Sequence, residues 1–177
     1  MRRGIVITTS EYTRPFYKDL IDSLYGCKYP VVTVFNPLIN SPYESGGLRV
    51  GMVLFDEFIY IQDTVIIKDL SLFDKLFEHD GMISIAPNFL MYLGKYESQK
   101  LREVQIPQVW DKKGAIAMEF WLRTVFPVSC FDPTFIDGNH TWEEKHGRRR
   151  MVLENIYIKK FKSCWDVTMI ESYENRG

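Results

Sequence analysis

A chain of 177 residues suits one domain of roughly 150 residues and leaves no room for two full ones. Hydrophobic residues at 46% and charged residues at 25% exclude the weakly hydrophobic, highly charged composition of a disordered chain. A net charge of -1, from 22 Lys+Arg against 23 Asp+Glu, excludes a whole-molecule field that draws in nucleic acid or anionic lipid, so an electrostatic partner must be bound locally.

In chain order, Gly4 to Thr8 (GIVIT) predicts a buried strand. Arg14 to Leu24 predicts a helix, with Phe16, Leu20, Ile21 and Leu24 at helical spacing behind Pro15 in the first turn. The β-branched run Val31 to Phe35 (VVTVF) predicts a second buried strand. Asn36 to Gly51, rich in Asn, Pro, Ser and Gly, predicts a loop of functional potential. Phe58 to Ile61 (FIYI) predicts a strand, Ser71 to Glu78 a helix nucleated by Asp69 or Ser71, and Met82 to Ala86 a further strand. This alternation is the signature of an α/β sheet.

The second half is less regular. It holds a candidate strand Ala115 to Phe120, a helix near Trp121 to Phe126, and a polar loop from Asp132 to Gly147. Residues 145 to 162 carry Lys145, Arg148, Arg149, Arg150, Lys159, Lys160 and Lys162 against one acid, Glu154, which is the strong charge asymmetry of the chain. No apolar run approaches the roughly 18 residues of a membrane span. The Met1-Arg2-Arg3 start leads into a strand-like run without a cleavage site, and Cys27, Cys130 and Cys164 form no Cys-x-x-Cys pair. A soluble, cytoplasmic protein in a reducing compartment is the expectation. Aromatic residues reach 15%, and their rings suit both a core and a stacking or sugar-binding surface.

Open α/β sheets bind ligands in the crevice outside the carboxyl ends of their strands, which makes Asp63 the first candidate site residue. It follows the FIYI strand, where its carboxylate would project into the crevice and hold a divalent ion and its attached phosphates, or else cap a turn. Gly46 and Gly47 before Arg49 allow close backbone approach to a ligand, with the guanidinium available to a phosphate. Their spacing is neither a Walker loop nor GxGxxG, so an ordinary Gly-rich turn is the competing reading. Asp132, Asp137, His140, Glu143, Glu144 and His146 offer a general base and a metal-ligating imidazole, although the histidines lack HExxH spacing. The basic residues from Arg148 onward suit a diphosphate, a solvated face or a nucleic-acid track; Tyr157, Phe161 and Trp165 add stacking groups to the last.

The order of these pieces resembles the GT-A-fold glycosyltransferases, in particular the family 2-like inverting enzymes that use nucleotide-diphosphate sugars. GIVITTSEYTRP is similar to the first strand and nucleoside-cradling loop of that family. SGGLRVGMVLFDEFIYIQDTV resembles the loop, short helix and strand that lead to its Asp-x-Asp motif. KKGAIAMEFW is similar to the strand that opens the acceptor side, and FDPTFIDG to the segment ending in the catalytic acid. The resemblance spans about residues 4 to 140.

It implies a Rossmann-like, mostly parallel central sheet flanked by helices in a single compact domain, with a nucleotide-binding half at about 1–90 and an acceptor-side half at about 91–177. It implies transfer of a sugar from a nucleotide-diphosphate donor to an acceptor hydroxyl, with inversion and with Asp137 as catalytic base. The donor would meet Thr8, Thr9, Ser10, Glu11, Arg14, Gly47, Arg49, Gln62, Asp63, Arg148 and Arg150. A divalent metal, Mn or Mg, would sit on Asp63 with His140. Minimal enzymes of this kind also resemble those of viruses that decorate their genomes, which brings in DNA bases as acceptors and DNA as a partner. The departure lies in Gln62-Asp63-Thr64-Val65, one acid where the family has two or three. Three readings follow: a metal held by Asp63 with the diphosphate and His140 or His146; a metal-independent site using Arg and Lys; or a catalytically silent module that binds nucleotide sugar or nucleic acid.

Overall fold

The computed structural model describes residues 1–10, 13–36, 43–79, 83–86, 90–93, 95–106, 117, 121, 124–125, 129–130, 141–145 and 148–162. Its first strand is β1 (Arg3–Ser10), whose residues 4 to 9 are all buried. A strand covered on both faces needs a continuous apolar run, and GIVIT supplies it. On one side β1 pairs in parallel with β2 (Val31–Asn36), and on the other with β3 (Glu57–Gln62). The sheet continues with β6 (Leu90–Leu93) antiparallel to β3, β5 (Ile83–Ala86) antiparallel to β6, and β7 (Ser129–Cys130) parallel to β5. Its order is β2-β1-β3-β6-β5-β7. Parallel pairs predominate, as expected for the α/β class.

One face of this sheet packs Ile5, Ile7, Ile59 and Ile61 against helices α1 (Arg14–Ser23) and α3 (Ser71–Phe77), which contribute Leu20, Leu72, Phe73 and Leu76. Asp69 does assist α3, its Oδ1 accepting the Ser71 N–H at 2.8 Å. The other face packs Val6, Phe58 and Tyr60 against Leu48 and Met52 of α2 (Tyr43–Leu54) and Leu101 of α4 (Lys95–Glu103). Arg102 joins these two helices, donating to the carbonyls of Met52 (2.9 Å from Nε) and Phe55 (2.9 Å from Nη2), which caps the end of α2.

Three expectations are corrected. The loop expected over Asn36 to Gly51 is helical from Tyr43, so Gly46 and Gly47 lie in α2. Their glycine content reflects packing: a Cβ on Gly47 would come within 2.6 Å of the Thr8 side chain and 2.9 Å of the Tyr60 ring, and one on Gly51 within 2.4 Å of Phe58. The helix lies too close to the sheet for side chains there. Second, Ala117 is helical where a strand was expected over Ala115 to Phe120, the rest of which falls outside the described residues. Alanine is a strong helix former, and a short apolar run does not by itself distinguish the two states. Trp121, Thr124 and Val125 are helical as expected.

Third, the polar loop expected over Asp132 to Gly147 ends in a strand, β8 (Thr141–Lys145). β8 belongs to a second, antiparallel sheet ordered β4-β10-β9-β8, with β4 (Val65–Ile67), β9 (Arg148–Glu154) and β10 (Ile158–Lys162). In the register of β8 with β9, Glu143 pairs with Arg150 and Glu144 with Arg149. Lys159 adds an ion pair with Glu143. Because β4 pairs with β10, residues 65–67 and 158–160 share one sheet across the division drawn at residue 90.

Candidate functional site

β1 has β2 on one side and β3 on the other, so the connection from β1 to β2 and the one from β2 to β3 run in opposite directions across the sheet. The crevice at such a switch point opens beyond the carboxyl ends of the strands. Here those ends carry Thr8, Thr9 and Ser10 on β1 and Gln62, Asp63 and Thr64 at the end of β3, with Thr8 beside Gln62 in register. Asp63 is tied to β1 by its backbone N–H, which donates to the Thr8 carbonyl at 3.1 Å.

The Asp63 carboxylate is buried, 4% exposed, and turned toward the start of α1. It accepts a hydrogen bond from the Thr13 hydroxyl. Thr13 stands at the N-cap of α1 yet makes no side-chain cap bond to the helix. Its oxygen instead accepts from the Ser10 N–H at 3.3 Å and shares a 2.9 Å hydrogen bond with the Ser10 hydroxyl. Asp63, Thr13 and Ser10 therefore lock the connection between β1 and α1. Burial pushes the Asp63 carboxyl above its ordinary range, opposed by the hydroxyls of Thr13 and Thr9, the charge of Lys160 and the Ser10 backbone. The Thr9 hydroxyl is near enough to steady the carboxylate but makes no hydrogen bond of ordinary geometry, and it is the buried side-chain polar atom among the described residues without one.

Around Gln62 and Thr64 the chemistry is opposite in sign. Thr8 Oγ1 and Tyr60 Oη share a buried hydrogen bond of 2.8 Å. Beyond them lies Lys160 of β10, 5% exposed, whose Nζ donates to Gln62 Oε1 at 2.9 Å and to the Thr64 hydroxyl. The strand pairing puts it there: Lys160 stands opposite Val65, and the Phe161 N–H donates to the Thr64 carbonyl at 2.9 Å. A cation is thus built into the end of β3.

Of the residues singled out in the sequence, Thr8, Thr9, Ser10, Gln62 and Asp63 come together, and Gly47 lies against Thr8 and Tyr60 next to them. Arg49 is directed elsewhere, its Nη2 donating to the Ile106 carbonyl at 2.7 Å. Arg14 is exposed in the first turn of α1. Arg148 and Arg150 lie on β9, in the sheet that carries Lys160. Glu11, Asp137 and His140 fall outside the described residues, as does His146. Sequence reading missed Thr13, Tyr60 and Thr64 as members of the cluster, and named Lys160 only within the basic run offered to a diphosphate. A threonine two positions before Pro15 is a helix-start signal that points to Thr13; nothing singles out Lys160 within its run.

A divalent ion takes several oxygen ligands, carboxylates prominent among them. Among the described residues no group of three or more His, Cys, Asp or Glu stands together. Asp63 is a single acid already engaged by a hydroxyl, and the oxygens of Gln62 and Thr64 face an ammonium. These residues do not fit a divalent ion.

No family model and no curated protein matches the chain. Solved structures do match it. An active-site mutant of LgtC is 10% identical with a TM-score of 0.52, the match covering 97% of this chain and 94% of that one. A glycosyltransferase involved in glycosylation of the major capsid of PBCV-1 is 10% identical over 77% of this chain and 84% of its own, with a TM-score of 0.46. A Drosophila beta-1,4-galactosyltransferase 7 mutant, in complex with manganese, UDP-Gal and xylobiose, is 7% identical over 91% and 93%, with a TM-score of 0.45. The likeness to the LgtC mutant defines the class: this chain has the GT-A-like α/β fold found among glycosyltransferases. Among the described residues no helix is long and apolar enough to cross a membrane.

Proposed function

We propose that the chain is a nucleotide-sugar glycosyltransferase that binds its donor across the carboxyl ends of β1 and β3 and passes the sugar to an acceptor hydroxyl. The observation that carries this reading is the buried polar cluster of Ser10, Thr13, Gln62, Asp63, Thr64 and Lys160 at the switch point of a GT-A-like fold. The nucleoside lies against Thr8, Thr9, Ser10 and Glu11. Asp63 holds that connection in place through Thr13. Arg14, Arg148 and Arg150 complete the donor side, whereas Arg49 is committed to the Ile106 carbonyl and takes no part in it.

As the bond between the anomeric carbon and the diphosphate breaks, negative charge collects on the leaving diphosphate. A fixed cation beside it stabilises the transition state more than the ground state. Asp137 takes the proton of the acceptor hydroxyl, whose oxygen attacks the anomeric carbon in line with the departing diphosphate; one C–O bond forms as the other breaks, and the configuration inverts. The protein acts in the reducing, cytoplasmic setting that its cysteine spacing suggests. DNA bases are the acceptor suggested by the basic strands β9 and β10, although the acids on β8 weaken that field.

Incubation with a panel of nucleotide sugars and acceptors tests the reading. Transfer or hydrolysis of at least one donor is expected, with the product inverted by NMR and the Asp137→Asn rate lower by about 10²- to 10⁴-fold. Retained configuration removes the inverting step, and an unaltered Asp137→Asn rate removes its base. The neutral Gln62 and Thr64 favour a second reading, a silent nucleotide-sugar or nucleic-acid binding module. Calorimetric binding of a nucleotide sugar with no product after long incubation supports that module. Salt-sensitive DNA binding without nucleotide binding supports a nucleic-acid adaptor instead.

A further inference from the structure

We infer that the Lys160 ammonium is the resident cation of the donor site and stands in for a divalent metal, so that this chain compensates the charge of a nucleoside diphosphate without one. The inference rests on the proposed donor reading and specifies how that site works.

The side chains of residues 62 and 64 reach one point, so carboxylates at those positions would converge on one cation. Around Asp63 the flanking residues are Gln62 and Thr64, both neutral, and both accept from the same Nζ of Lys160. The intervening Asp63 is directed to Thr13, yet lies close enough for the charge of Lys160 to stabilise its carboxylate. The arrangement thus keeps the geometry of two oxygens on one cation and exchanges the chemistry of both parts. Neutral oxygens replace carboxylates, and an ammonium replaces the ion.

The exchange is self-consistent. Two carboxylates without a metal would repel each other in a buried site, whereas an amide oxygen and a hydroxyl carry no net charge and satisfy a buried ammonium by hydrogen bonds. A divalent ion arriving there would meet a like charge in a region of low dielectric, with no pair of acids to hold it. Lys160 is also held firmly. Its strand is paired with β4, and the neighbouring Phe161 N–H is bonded to the Thr64 carbonyl. A cation that does not have to be recruited costs little reorganisation when a diphosphate binds or leaves. Half-buried Gln62 and the register partner Thr8 put this charge at the carboxyl-end mouth of the sheet.

The test uses the full chain, with calorimetry of UDP and other nucleoside diphosphates in EDTA and in Mn²⁺, and with Mn²⁺ binding to the nucleotide-free protein followed by electron paramagnetic resonance. Nucleotide affinity is expected to be equal in EDTA and Mn²⁺, and to fall by about tenfold or more in Lys160→Met. Lys160→Arg, which keeps the charge should Lys160→Met fail to fold, should still bind in EDTA. The triple variant Gln62→Asp, Thr64→Asp, Lys160→Ala should acquire Mn²⁺ binding that the native chain lacks. Loss of native nucleotide binding in EDTA, or an unchanged affinity in folded Lys160→Met, overturns the inference and leaves the donor reading standing. Absence of nucleotide binding under every condition overturns the donor reading. In that event the inference falls with the reading it rests on; independently of nucleotide, Mn²⁺ held by the native cluster also overturns it.

Discussion

The two sides of the turn that ends β3 make opposite use of charge. Toward α1, Asp63 is an acid surrounded by hydroxyls, and its bonds tie the end of β3 to the residues that open the first helix. Toward β10, Gln62 and Thr64 are neutral acceptors gathered on the Lys160 ammonium. The conspicuous acid is therefore engaged with the start of α1, and the buried lysine arrives from 98 positions beyond Gln62. A chemically suggestive residue at a strand end says that a site is near; the direction of its side chain decides what it does there.

Below this turn the faces of β3 should be equivalent, because Phe58 and Ile59 are both fully buried on opposite sides of the strand. Phe58→Ala is expected to cost about 3–5 kcal/mol and Ile59→Ala about 2–5 kcal/mol in urea denaturation. A negligible cost on either side would mean that one layer is not packed as described. A smaller effect separates the faces through their helices. Gly47→Val inserts atoms where a Cβ already lies 2.6 Å from Thr8, and should destabilise by about 1–3 kcal/mol by pushing α2 off the sheet. An unchanged midpoint would show that α2 does not lie this close.

The smallest expected effect concerns Asp63 itself. Burial raises its carboxyl pKa above the ordinary 3.8, so between that value and the raised one the folded state binds more protons than the unfolded state. Its contribution to stability is accordingly largest at or below pH 3.8 and is lost as pH rises through the raised pKa. The stability of the native chain relative to Asp63→Asn should fall on going upward from pH 3.8 and then level off. A difference that grows with pH would mean that the hydroxyls and Lys160 outweigh burial.

Much of the first sheet was legible because β1 and β3 are buried on both faces; β2 is a strand as expected but not a buried one, since it lies at the sheet edge with Val31 and Phe35 exposed. GIVIT, VVTVF and FIYI each appear as short apolar runs, and each lies within an observed strand. The glycines of α2 misled because an absent side chain permits either a turn or a close helix–sheet contact, and only the neighbouring Thr8, Tyr60 and Phe58 decide between them. The second sheet was illegible for another reason. Its strands β8 to β10 carry many charges and pair in succession, and its remaining strand, β4, joins them through a remote pairing with Lys160 opposite Val65, so its stability lies in register rather than in an apolar pattern. In the site, the strand-end positions of Thr8, Thr9, Ser10, Gln62 and Asp63 followed from the strands they terminate. Lys160 did not, because nothing in the run IKKFK distinguishes the buried lysine from its partly exposed neighbour Lys159.

Hydrogen–deuterium exchange with and without a nucleotide sugar tests the central claim most directly, since it reports where the donor sits whether or not turnover follows. Slower exchange is predicted for the amides from Thr8 to Thr13 and from Gln62 to Val65, with β10 around Lys160 protected in step. Protection confined to β8 and the amino end of β9, or bound nucleotide that leaves Thr8 to Thr13 and Gln62 to Val65 unaffected, would contradict it.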